Sequence, residues 1–132
     1  YMGSASAPFK AFIDATSKSY FVRQWQDKVA AGFTNSASMS GDKLNTLVQF
    51  AILAAQHGMI WVGSAIPPGN NNTKGSPDDL NRLGSYLGAM AQSPADAGPD
   101  AGPSASDKKT AAALGKRVAE AAKRWNGQTV ER

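Results

Sequence analysis

Two short apolar runs, "KVAAGFTN" at residues 28–35 and "MIWVGSAI" at 59–66, flank a segment of helical periodicity. The second run is apolar on both faces, so as a strand it needs cover on both, which a parallel sheet between helical layers supplies. The first run also reads as a buried strand. Between them Leu44, Leu47, Val48, Ala51 and Ala55 fall on one predicted helix face. Ser38 or Ser40 is the expected N-cap, Asp42 suits the positive helix end, and His57 followed by Gly58 marks the stop. Strand, helix, strand is a crossover unit, hence an α/β fold. Two strands cannot make a sheet covered on both sides, because such sheets carry about four or more. The expectation is therefore a three-layer parallel sheet lacking its first strands, which would lie upstream of Tyr1 or come from another chain.

The other segments fit around that unit. Pro8 suits a first helical turn, and Phe9, Phe12, Ile13 and Thr16 follow at helical spacing. Residues 67–79 and 93–106 are rich in turn formers and read as long loops, the second either mobile or a lid. A helical turn is expected around Leu80 to Leu83. From Asp107 a last helix turns Leu114, Val118, Ala121 or Ala122, and Trp125 inward, and Lys108, Lys109, Lys116, Arg117, Lys123 and Arg124 lie on a solvated face. At 132 residues, 42% of them hydrophobic, the chain reads as a single domain over 1–132.

Charge and composition remove several function classes. A net charge of +4 tolerates an anionic ligand, but no basic run is interleaved with aromatics, so nucleic acid is not an expected partner. With no cysteine there is no disulfide, thiolate metal site or Cys nucleophile, and one His beside the Asp78-Asp79 pair is no metal-ligand set. The apolar runs are too short to span a bilayer, and no charged-then-apolar leader opens the chain. A soluble, cytoplasmic protein with no membrane partner is expected.

The loop "TNSASMSGDK", residues 34–43, raises two further ideas. A Ser-rich loop before a helix can cradle an anion, and Ser40-x-x-Lys43 has the spacing of a Lys-activated serine. The serine idea fails for want of companions, because there is no K-T-G element and "NTKGS" has the order reversed. Ser40, His57 and Asp14 could form a triad on paper, but no G-x-S-x-G elbow holds the serine.

Four segments in order, "YMGSASAPFKAFIDAT", "GFTNSASMSGDK", "AAQHGMIWVG" and "LGSYLGAMA", resemble the C-terminal two-thirds of flavodoxin-like FMN proteins. The group they most resemble is the Trp-repressor-binding-protein-A-like NAD(P)H:quinone oxidoreductases and related FMN reductases. The resemblance runs from Tyr1 to about Trp125. It implies a flavodoxin-like three-layer sheet with the flavin at the carboxyl ends of its strands, near a topological switch point. By that resemblance Tyr1, Met2 and Gly3 approach the isoalloxazine with backbone groups. Ser36, Ala37, Ser38, Met39, Ser40 and Gly41 lie beside the ring and ribityl chain, Ala37 and Met39 being bulkier than the Gly and Thr usual there. His57 contacts the flavin and its second substrate, orienting a quinone or nicotinamide or supplying a proton. Tyr20 closes over the substrate, often across a subunit interface, and Tyr86 has a weaker claim to a substrate contact. Asp14 reads as a structural carboxylate.

Each of these residues also has a plainer reading. His57 can be a helix C-terminal histidine held by the dipole. Tyr20, Phe21 and Trp25 can be core or interface aromatics, and Tyr86 an ordinary exposed loop tyrosine. The family's phosphate loop has no counterpart here, since neither G-x-x-x-x-G-K-[ST] nor G-x-G-x-x-G occurs. The chain alone is therefore expected to bind FMN weakly or not at all.

The function the resemblance implies is FMN-dependent hydride transfer from NAD(P)H, as co-substrate, to a quinone or flavin acceptor, in a homodimer or homotetramer. The alternative is a non-catalytic flavodoxin-like fragment or interaction subunit without flavin. A one-electron carrier of the flavodoxin type is a third reading, disfavoured by the positive charge.

Overall fold

The structure, a computed structural model, describes residues 1–127. Its elements run α1 (Ala7–Ala15), α2 (Ser17–Phe21), β1 (Val29–Ala30), β2 (Phe33–Ser36), α3 (Lys43–Gln56), β3 (Ile60–Trp61), β4 (Ala89–Gln92) and α4 (Ala105–Trp125). All pairing is parallel, β1 with β3 and β2 with β4. The α/β expectation is met, and α3 and α4 pack on the strands rather than on each other.

The run expected as one buried strand is a single extended stretch, interrupted at Ala31 and Gly32, that takes two partners in turn. Along one edge the carbonyls of Lys28, Ala30, Gly32 and Ser36 accept from the amides of Ile60, Val62, Ala89 and Ser93 at 2.8–3.1 Å. The chain leaves this edge after Val62, makes the excursion 63–88, and returns as β4. The excursion turns away where Ser64 bonds the Tyr86 and Ser85 carbonyls instead of the sheet. Return is possible because residue 88 is Gly: a Cβ there would overlap the Gly32 carbonyl oxygen and crowd Leu47.

The opposite edge of β1–β2 pairs with no strand among the described residues. Phe33 is 72% exposed, which corrects the expectation of a fully buried strand. The reason is that cover on that side is incomplete. The "MIWVGSAI" run likewise stays on the sheet only from Ile60 to Val62. β4, which sequence patterning does not reveal, replaces the rest of it.

Helix α1 opens with Pro8 in its first turn as expected. The α3 cap differs from expectation: it is Asp42, in a left-handed conformation with no side-chain cap bond, because Ser38 and Ser40 belong to a loop that folds back on Lys43. The predicted apolar stripe also divides. Leu47 and Ala54 are buried together with Lys43 and Thr46, whereas Leu44, Val48 and Ala55 face outward. The stop is as expected, with left-handed Gly58 letting the Met59 amide reach the Ala54 carbonyl and the Gly58 amide reach that of Ala55.

Helix α4 begins at Ala105 with Ser104 as its cap, the side chain accepting from the Asp107 amide. Leu114 is buried as expected, whereas Trp125 is exposed. The turns around residues 80–84 dock on the start of this helix. The Asn81 amide donates to Thr110 Oγ1 at 2.8 Å, and Arg82 forks onto Asp107.

Candidate functional site

Three segments meet at the carboxyl ends of β2 and β4. The first is 1–4, a tight turn closed by the Ser4 amide on the Tyr1 carbonyl, with Met2 and Gly3 both left-handed. Helix α3 holds it in place: Asn45 Nδ2 donates to the Gly3 carbonyl at 2.6 Å, and Gln49 Oε1 accepts from the Ala5 amide. The second is the loop 36–42, and the third is the end of β4. There Gln92 Nε2 donates to the Ala37 carbonyl at 3.1 Å and Ser93 Oγ lies 3.2 Å from Asn35 Oδ1.

The 36–42 loop is tightly wound. Ser36 Oγ donates to the Ser38 carbonyl at 2.8 Å, and a side chain at residue 41 would collide with that hydroxyl. Gly41 also has φ +54°, where a Cβ is strained, so both space and conformation call for glycine. Ala37, Ser38, Met39 and Ser40 stay exposed around the turn, and so do Tyr1 and Met2 beside it. Such an exposed backbone surface suits the approach of a flat ring.

Tyr1, Met2, Gly3 and residues 36–41, singled out in the sequence, are thus brought together. His57 and Tyr20 are not brought to them. α3 starts beside the loop and ends at His57, and its 14 residues span about 21 Å. Within one chain His57 and Tyr20 therefore lie at the other end of α3 from the loop. Tyr86 is also remote: it precedes β4, whereas the loop abuts the far end of that strand at Gln92.

His57 sits in an aromatic nest of its own. It is 3% exposed, its ring lies 4.5 Å from that of Trp25, and Tyr20 meets it edge-on at 6.0 Å. Nε2 lies 2.8 Å from Thr16 Oγ1, and Nδ1 has no partner among the described residues. Thr16→Val should leave both ring nitrogens unpaired and destabilise the protein by about 1–3 kcal/mol, read by urea unfolding; an unchanged midpoint would show that the pair contributes nothing.

A groove of about 850 Å³ runs along the open edge of β1–β2, walled by Phe9, Trp25, Phe33, Phe50 and Trp61 and reaching Tyr1 and Ala37 at one end. Residues 30–37 of the β1–β2 stretch line it along its length. Among the described residues no group of three or more potential metal ligands occurs, and no helix is long and apolar enough to cross a membrane.

Sequence reasoning missed Gln92, Ser93 and Asn45, and it weighed Lys43 only as a partner for Ser40. The bracketing of "AMAQ" by Gly88 and Ser93-Pro94 marks turns at its two ends and does not by itself identify a strand.

The comparisons with known proteins bear on this geometry. The family model for NADPH-dependent FMN reductase matches residues 1–73. A flavodoxin, FldP, of Pseudomonas aeruginosa is 55% identical over 97 residues, covering 74% of this chain and 52% of its own. An NAD(P)H dehydrogenase (quinone) of Archaeoglobus fulgidus is 37% identical over 122 residues, covering 92% of this chain and 54% of its own. A crystal structure of a WrbA-like flavodoxin from Agrobacterium tumefaciens matches with TM-score 0.68 and 41% identity, over 94% of this chain and 61% of that one. The chain thus spans about half the length of these curated relatives. With its parallel strands, flanking helices and loops gathered at the strand ends, the chain belongs to the NADPH-dependent FMN reductase family and has a flavodoxin-like fold.

Proposed function

We propose that the chain provides the ring-binding half of an FMN site in an oxidoreductase that takes electrons from NAD(P)H and passes them to a quinone or flavin. The observation that carries this reading is the convergence of 1–4, 36–42 and Gln92 at the carboxyl ends of the strands. The residues present fit the ring end of FMN. Two left-handed turns, at Met2-Gly3 and Gly41-Asp42, come close together and leave backbone exposed between them. At the phosphate end the described residues provide no glycine-rich cradle.

When bound, FMN supplies the hydride acceptance and donation that no side chain here can perform. The chain's own residues do the positioning. Asn45 and Gln49 fix the 1–5 segment, Gln92 fixes the Ala37 carbonyl, and Tyr1 offers an exposed aromatic face beside the loop. Tyr20 and the buried His57 serve substrate only across an interface in a homo-oligomer, with His57 acting behind the Tyr20 and Trp25 rings. The groove along the open edge takes the remaining strands of the sheet, since unpaired strand backbone favours strand addition.

A phosphate contact from charged or oriented donors is worth about 1.5–3 kcal/mol. Because the described residues provide no glycine-rich cradle for the phosphate, the purified chain should bind riboflavin and FMN with affinities within about threefold of each other. Titrations followed by the visible flavin band measure both. A preference for FMN of tenfold or more would mean that a phosphate site exists after all. If neither flavin binds at millimolar concentration, this chain is not the flavin-binding half, and the groove becomes the basis of a second reading, a flavin-free interaction subunit. NADPH turnover separates the reductase from an electron carrier of the kind the name of the Pseudomonas relative suggests.

A further inference from the structure

Lys43 is 2% exposed at the first residue of α3, where burial and the helix dipole both oppose a positive charge. Burial lowers its pKa from the ordinary 10.5; the Asp107 charge acts in the opposite direction and Arg82 adds to the lowering. Among the described residues no carboxylate pairs with the ammonium. Its three donors go instead to Ser36 Oγ at 2.7 Å, the Ser38 carbonyl at 2.9 Å and the Met39 carbonyl at 2.8 Å. All three acceptors belong to one loop, so every hydrogen bond of this buried cation is committed to the shape of that loop.

The consequence lies on the other side of the same peptide units. The only cis bond among the described residues is Gly102-Pro103, so the 38–39 and 39–40 peptides are trans. In a trans peptide the C=O and N–H point in opposite directions. With the Ser38 and Met39 carbonyls turned in toward Lys43, the N–H groups of Met39 and Ser40 turn outward. Both residues are exposed, and among the described residues neither N–H meets an acceptor.

We infer that Lys43 is a positioning residue for ligand binding, holding two carbonyls inward so that the Met39 and Ser40 N–H groups stand outward as a fixed donor pair for an electronegative edge of the bound flavin. This rests on the reading of the 36–42 loop as the flavin-ring face. The pair selects an acceptor, and the ammonium behind it reinforces the positive potential that the acceptor meets.

The test is an amide NMR titration of the 15N-labelled chain with FMN, on wild type, Lys43→Met and Ser36→Ala. In wild type the Met39 and Ser40 amides should shift together with those of Gly3 and Gln92. In Lys43→Met the Met39 and Ser40 responses should vanish while Gly3 and Gln92 still respond, and affinity should fall about tenfold. Ser36→Ala removes one of the three acceptors and should weaken binding about threefold, so it carries the test if Lys43→Met does not fold. The inference is overturned if Lys43→Met folds and keeps the Met39 and Ser40 responses with unchanged affinity. It is also overturned if wild type responds at Gly3 and Gln92 but not at Met39 and Ser40. A wild type with no response at any amide removes the flavin reading itself, and this inference with it.

Discussion

Asp107→Asn should cost about 3–5 kcal/mol of stability, the largest loss expected from any single polar substitution in this chain. Asp107 is 2% exposed and takes a two-pronged bond from Arg82, Nε to Oδ1 at 2.8 Å and a terminal nitrogen to Oδ2 at 2.7 Å. It also accepts from the Gln92 amide at 2.9 Å, tying β4 to the start of α4. An amide in its place strands a largely buried guanidinium and supplies the wrong complement of donors. On the thermal scale this is on the order of 10 °C for a chain of this size. Adding Arg82→Met to Asp107→Asn should recover part of the loss, because much of the cost is the uncompensated cation rather than the missing bond. Urea unfolding of the three proteins measures it, and equal stability of Asp107→Asn and wild type would mean that the pair is not formed in solution.

The same carboxylate makes the stability pH-dependent. Burial acts to raise its pKa, but the Arg82 bond and charge together with the Gln92 and Ser104 bonds outweigh burial and hold it below the ordinary 3.8. As pH falls, the unfolded chain takes up this proton before the folded one does. The contribution is therefore complete above about pH 4 and is lost as pH falls through the folded-state value. Wild type should lose stability over that acid range more steeply than Asp107→Asn. The effect reaches the candidate site, because Gln92 bonds Asp107 through its backbone amide and the Ala37 carbonyl through its side chain.

None of this pair was visible beforehand, because Arg82 and Asp107 lie 25 positions apart and only the return of β4 brings them together. β4 itself was invisible for a related reason. "AMAQ" contains no β-branched or aromatic residue, and alanine and methionine are better helix formers than strand formers. The partner strand and the two facing glycines make it a strand, and those are long-range causes. The end of α3 was legible, since a left-handed Gly after a His is a local signal with a local cause. Its start was not. Ser38 and Ser40 both suit the cap by spacing, and the outcome depends on Lys43 reaching back to Ser36, which no helical spacing encodes. The loop 36–41 and the 1–3 turn were recognisable through family resemblance. The separation of His57 from both follows from the length of α3, and the sequence already contained that length.

Leu47→Ala should cost about 2–5 kcal/mol, toward the upper end of that range. Leu47 is 0% exposed, and its side chain fills the space over Gly32 and Gly88 where strand backbones approach without side chains of their own. The Ala89 amide is bonded to the Gly32 carbonyl at 3.1 Å, so the strands are held in register and resist collapsing into the cavity. Leu44 is the control. The sequence puts it on the same apolar face as Leu47, but it is 57% exposed in the structure, so Leu44→Ala should change stability by no more than about 0.5 kcal/mol. Urea unfolding of both variants, at two protein concentrations, decides between two readings of that face. Unequal costs independent of concentration mean that α3 buries one side only. Equal costs that grow with concentration mean that the outer stripe of Leu44, Val48 and Ile52 is covered in solution by a second copy, whose association would then contribute to the measured stability.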